Sequence, residues 1–127
     1  MTEQNETKYS MIVTIVSKGY ADVAVAAAKE AGAQFCTMLY ARGSGVHETE
    51  KFLNISIEPE KEIVLTFVKS ADVKDIVTSI TDKAGLATAG AGVTFVLPIT
   101  RTAGTMAHTA EETQAEKQSD DGGGEAD

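Results

Sequence analysis

The chain carries the same pattern of apolar runs twice, in the same order, and this duplication restricts the architectures open to it. Met11 to Val16 is an apolar run, a helix-like stretch ends at Gly32, and a second run from Phe35 to Ala41 stops at Arg42-Gly43-Ser44-Gly45. From Ile63 the order repeats: Ile63 to Val68, a helix-like stretch to Gly85, then Val93 to Thr100, stopping at Arg101-Thr102-Ala103-Gly104. Two β-α-β units in series predict one α+β sandwich, with both helices on one side of a four-stranded sheet. The glycines gather at the ends of the strands, in the loops where function is usually carried.

Alternate strand residues face opposite ways, so each run divides into two faces. One face collects Met11, Val13, Ile15, Ile63, Leu65, Phe67, Val93, Phe95, Leu97 and Ile99. The other collects Ile12, Thr14, Val16, Val64, Thr66, Val68, Thr94 and Val96, which are smaller and mostly β-branched. The second helix, with Ser70 as its expected cap, sets Val73, Ile76, Val77, Ile80 and Ala84 on one stripe, while the first, Tyr20 to Ala31, is rich in alanine. The expectation is that the helices cover the bulky face and leave the smaller one open. A sheet face that is still apolar then calls for a second protein surface, most simply another copy of the chain.

Charge separates the chain into unequal parts. Over 127 residues, 11 basic and 19 acidic side chains give −8, but residues 104–127 hold one base (Lys117) and seven acids, leaving ten bases and twelve acids before them. That last segment has three consecutive glycines and almost no bulky apolar residue, so it is expected to be an acidic disordered tail. The preceding part is nearly neutral and lacks the basic surface that nucleic-acid binding requires. The apolar runs are too short to span a bilayer and the first eight residues are polar, so a cytoplasmic protein without membrane insertion is expected. The lone Cys36 cannot form an internal disulfide and reads as a small packed residue. His47 and His108 show no metal-ligand spacing, and no nucleophile, base and orienting group can be named as a set, so no metal site or catalytic residue is expected.

Arg42-Gly43-Ser44-Gly45, Gly90-Ala91-Gly92 and Arg101 remain as candidates for binding chemistry. Glycines let successive N–H groups converge on an anion, and arginine adds a planar positive fork that suits phosphate. Gly90-Ala91-Gly92 lacks the lysine and hydroxyl of a P-loop, so each signal alone is weak and their combination makes the case for a phosphate-bearing ligand.

The glycine-threonine pattern from Gly32 through Thr37 to Gly43 and Gly45 belongs with two further motifs. These are Glu58-Pro59-Glu60-Lys61-Glu62 leading into a strand, and Thr88-Ala89-Gly90-Ala91-Gly92 leading into Phe95-Val96-Leu97-Pro98. Together they resemble the PII signal-transduction (nitrogen regulatory P-II) family, in its PII-like short-loop branch, over about Tyr9 to Gly104. The resemblance implies a ferredoxin-like βαββαβ protomer in a homotrimer, with an adenine nucleotide in each cleft between subunits. It places the domain at 9–103, after a polar extension 1–8, with a recognition loop at about 42–57. Thr37 matches the threonine that contacts adenine, and Gly43 and Gly45 match glycines at the base of that loop. Gly90, Ala91 and Gly92 match the loop that approaches the phosphates, Arg101 an arginine that reaches them, and Lys61 a basic residue facing them. Arg42, Ser44, Val46, His47 and Glu48 fall in the partner-binding loop.

Departures from the family pattern narrow these expectations. Val93 stands where the classical members carry lysine, the loop is shorter and lacks the tyrosine uridylylated in some members, and no glutamine is placed to hold magnesium and 2-oxoglutarate. ADP or AMP is therefore favoured over ATP. The resulting expectation is a nucleotide-responsive regulator, not an enzyme, that controls a membrane transporter or a metabolic enzyme. The alternative is a metal-responsive trimer of the divalent-cation-tolerance type; an acylphosphatase-type enzyme is disfavoured because Ser17-Lys18-Gly19-Tyr20 lacks an arginine.

Overall fold

Residues 8–43, 50–52, 55–57 and 59–104 are described by the computed structural model. Their order is strand β1 (Tyr9–Ser17), helix α1 (Ala21–Glu30), β2 (Phe35–Arg42), β3 (Glu50–Phe52), β4 (Ile55–Ile57), β5 (Glu60–Lys69), helix α2 (Val73–Lys83) and β6 (Gly92–Ile99). The four long strands make one antiparallel sheet in the order β2-β5-β1-β6. This is the βαββαβ sandwich expected from the duplicated pattern. The loop expected over 42–57 also contains a short antiparallel ribbon, in which Glu50 pairs with Ile57 and Phe52 with Ile55. The acidic segment beyond residue 104 and the extension 1–7 lie outside the described residues.

The helices cover the face opposite to the one expected. Ser10, Ile12, Thr14 and Val16 of β1 and Glu62, Val64, Thr66 and Val68 of β5 are buried, against Ala21, Ala24, Ala27 and Ala28 of α1 and Ile76 and Ile80 of α2. The physical reason is the alanine content of α1. A helix whose inner stripe is methyl groups lets its backbone come close to the sheet, and the shallow gap accepts only small, branched side chains. The bulky set faces the other way, with Phe35, Leu39, Val93, Phe95 and Leu97 exposed there. Hence the face that needs cover is the large apolar one, and the argument for a second protein surface becomes stronger.

Polar groups in the buried layer are paired. Thr14 and Thr94 share a hydroxyl hydrogen bond of 3.0 Å, Thr66 lies 3.9 Å from the Cys36 sulfur, and Cys36 packs at the margin of the core. The Ser79 hydroxyl donates to the Ala27 carbonyl at 2.8 Å and Lys83 pairs with Glu30, joining the two helices. Ser70, the expected cap of the second helix, sits in a 3-10 turn (Ser70–Asp72) and its hydroxyl meets that of Ser10 at 2.7 Å; Asp72 holds the cap position without a side-chain bond.

Candidate functional site

Antiparallel pairing decides which loops meet. β1 ends, β2 ends, β5 starts and β6 starts at the same edge of the sheet, shown by the pairs Ser17–Lys61, Arg42–Glu60 and Val16–Gly92. Gly43, Lys61 and the Gly90-Ala91-Gly92 loop are therefore gathered at one end. The Gly43 N–H donates to the Pro59 carbonyl at 3.2 Å and closes the base of the loop that runs between them.

The glycine loop is fixed by its own backbone. Thr88 N–H donates to the Gly85 carbonyl and Ala91 N–H to the Thr88 carbonyl, at 3.0 and 3.1 Å, so the Ala91 amide is turned into the loop. Gly90 has φ +83° and Gly92 φ +149°. A Cβ on Gly92 would lie 2.5 Å from the Ile15 carbonyl oxygen and 3.0 Å from a Val16 methyl. The backbone at Gly92 thus lies directly against β1, and no side chain fits there.

Three polar residues at this end were not singled out by sequence reasoning. Lys18 pairs with Glu60 at 2.8 Å, and the Lys18 N–H donates to the Glu60 carbonyl at 3.3 Å. The hydrogen bond to Lys18, then its charge, then Arg42 hold the Glu60 carboxyl below its ordinary range; the same hydrogen bond and charge from Glu60 raise Lys18 above its own. Glu62 is buried, and its Oε1 accepts from the N–H groups of Gly19 at 3.0 Å and Ala21 at 2.9 Å. This carboxylate supplies to the start of α1 the acceptor that its N-cap residue, Tyr20, lacks. The available signal was its phase, since Glu62 falls two residues before Val64 on the small-residue face. A depression of about 510 Å3 lies beside this cluster, lined by Lys18, Tyr40, Ala41, Arg42, Glu60 and Lys61.

Other expected site residues are not at this end. Thr37 sits opposite Leu65 in the middle of β2, exposed on the open sheet face. Arg101 follows β6 at the far end, where Ile99 pairs with Tyr9. Eight residues of β6 separate it from the glycine loop, about 27 Å at strand rise. Ser44, Gly45, Val46, His47 and Glu48 lie outside the described residues. Among the described residues no three His, Cys, Asp or Glu side chains form a group able to hold a metal, and no helix is long and apolar enough to cross a membrane.

Comparison with known proteins places this geometry in context. The family described as nitrogen regulatory protein P-II matches residues 9–108. Among solved structures, one of Arabidopsis thaliana PII bound to citrate superimposes with a TM-score of 0.58 and 22% identity, over 75% of this chain and 80% of that one. At that identity the likeness speaks for the fold. No curated protein matches.

Proposed function

Because the chain belongs to the nitrogen regulatory protein P-II family, we propose that it is a homotrimeric adenine-nucleotide sensor that regulates a partner by binding it, without turnover. The observation that carries this reading is the open sheet face. Val93, Phe95 and Leu97 are 50%, 42% and 49% exposed on a surface that continues through Met11, Val13, Leu65 and Phe67, and a monomer gains nothing by wetting it. Three copies packed on this face would bring one protomer's Thr37 and Arg101 toward another's Gly90–Gly92 loop and Lys61. Citrate, held by the Arabidopsis relative, is a compact polyanion, and a phosphate-binding cleft suits the same charge class.

In this reading Gly43, Gly45, Gly90, Gly92, Lys61 and Arg101 serve the phosphates and Thr37 the base. Arg42, Ser44, Val46, His47 and Glu48 belong to the partner-facing loop. Val93 in place of a lysine leaves fewer charges for a third phosphate, so ADP or AMP binds at least as well as ATP. The nucleotide acts by favouring one arrangement of the loop, and a preference of about 1.4 kcal/mol shifts its population tenfold. A transporter or metabolic enzyme in the cytoplasm is the partner class this reading names. Calorimetric titration with ATP, ADP and AMP, together with sedimentation of the free protein, tests it. A mass of three 13.3 kDa chains and saturable heat support it; a monomer, or no heat at millimolar nucleotide, refutes it.

A further inference from the structure

Four strand ends stand side by side at the loop edge of the sheet, in the order β2-β5-β1-β6. Arg42, the last residue of β2, is opposite Glu60, the first of β5; Ser17 at the end of β1 is opposite Lys61; and Val16 is opposite Gly92, where the glycine loop enters β6. Lys18 continues from β1, so it leaves the sheet between the Gly90-Ala91-Gly92 loop on one side and Glu60 on the other. Its ammonium is 2.8 Å from the Glu60 carboxylate, with the two side chains 63% and 53% exposed. A pair so open to water adds little to stability and is weak enough to exchange partners. Glu60 has a second cation within range, since the charge of Lys18 and then that of Arg42 act on its carboxyl. Directly after Arg42, the Gly43 N–H closes the base of the recognition loop on the Pro59 carbonyl.

We propose that Lys18 and Glu60 form a charge relay that carries occupancy of the glycine loop to the root of the recognition loop. While Lys18 neutralises it, the carboxylate attracts Arg42 only weakly. An anion seated at the Gly90–Gly92 loop competes for the Lys18 ammonium, and Glu60, released, pairs with Arg42 across the strand. That pairing lies beside the Gly43–Pro59 bond and stiffens the residue from which the loop departs. Glu60 is thus a positioning residue, acting on the loop through Arg42. The anion rests on the nucleotide-sensor reading, in which it is a phosphate of the ligand; the sharing of Glu60 between two cations does not.

The test follows the Arg42 Nε and the Gly43 amide by nitrogen relaxation in NMR, in the full chain and first without nucleotide. Lys18→Met frees Glu60 and is expected to raise the Arg42 Nε order parameter by about 0.2, on a scale where below about 0.6 is flexible and about 0.85 is rigid, with Gly43 following. Glu60→Gln should lower both, and in Lys18→Met/Glu60→Gln the rise should be lost. The Ala21 amide, held by Glu62, should not move in either variant, whereas a general loss of stability would not spare it. If Lys18→Met and Glu60→Gln shift Arg42 the same way, the pair is an ordinary salt bridge and the proposal fails. If neither shifts it, Arg42 is held by something else, such as the loop acids Glu48, Glu50 and Glu58, and the proposal fails as well. ADP is then added. It should raise the Arg42 value in the parent and leave it unchanged in Lys18→Met, where the switch is already made. ADP that binds in calorimetry without this rise overturns the relay. Opposed variants without any ADP binding remove the sensor reading and leave the shared carboxylate standing.

Discussion

Replacing Glu62 by alanine probes the contact that joins the start of β5 to helix α1. Its Oε1 accepts two N–H bonds, and the one from Ala21 is buried while the one from Gly19 is only partly so. Bonds to a charged acceptor are worth about 1.5–3 kcal/mol, and an orphaned buried N–H costs about 1–3 kcal/mol. The Gly19 amide can turn to water, so the two sites do not contribute equally. Glu62→Ala should therefore lose roughly 2–4 kcal/mol, most of it at Ala21. Glu62→Gln keeps an acceptor of the same shape without the charge and should lose roughly half as much. Urea unfolding at one fixed protein concentration measures both, with the slope unchanged, and hydrogen exchange at Gly19 and Ala21 reports the local effect. If Glu62→Ala unfolds within about 0.5 kcal/mol of the parent, the scale of an ordinary surface change, and these amides stay protected, the assignment of Glu62 as the acceptor for α1 is wrong.

Three further outcomes follow from the geometry. Gly92→Ala drives a Cβ into the Ile15 carbonyl, a backbone neighbour that cannot turn aside, so it should lower stability by about 1–3 kcal/mol and weaken nucleotide binding in the same preparation. The Lys18–Glu60 pair should persist from mildly acid to strongly alkaline pH. Glu60, with its depressed pKa, contributes above its unfolded value of about 4.5 and loses this as pH falls through the lower folded value; Lys18, raised, contributes below 10.5 and loses it as pH climbs through the higher one. The Glu60 carboxyl carbon shift by NMR checks the acid limb, and a midpoint at or above 4.5 contradicts it. Phe95→Glu with Leu97→Glu on the open sheet face should give a monomer in sedimentation that no longer binds nucleotide, and a variant that stays trimeric shows that this face is not the interface.

The strands and helices were legible because each carries its own period, and the duplicated order limited their arrangement to one sandwich. The direction of the sheet was not. Both faces are apolar, so polarity could not choose between them; the choice depended on the depth of the gap beneath α1, a packing property set by Ala21, Ala24, Ala27 and Ala28 together. Glycine loops were readable because Gly43, Gly90 and Gly92 interrupt the pattern. Lys18, Glu60 and Glu62 were missed because their partners lie 41 to 43 residues away along the chain, and only the strand register shows that they meet. Glu60 entered only as part of the Glu58-Pro59-Glu60-Lys61-Glu62 motif, and pairing opposite Arg42 is what gives it a fixed place.

The same register constrains how a ligand could be shared. Arg101 and the Gly90–Gly92 loop of one protomer sit at opposite ends of β6, a separation of about 27 Å that exceeds the length of a nucleoside diphosphate. If both bind the same ligand, they come from different copies. Arg101→Glu removes one half of such a site, and Ala91→Asp puts a negative charge in the other. Each homotrimer should fail to bind ADP. In trimers assembled from equal amounts of the two, a cleft is intact when its arginine comes from an Ala91→Asp copy and its loop from an Arg101→Glu copy, which chance provides in about one quarter of clefts for a closed symmetric ring. Had both groups come from one protomer, every copy would carry a defect and no cleft would recover. Titrating the mixed sample with ADP thus gives a stoichiometry near one quarter or near zero, and zero recovery would show that the two ends do not share a ligand across a subunit boundary.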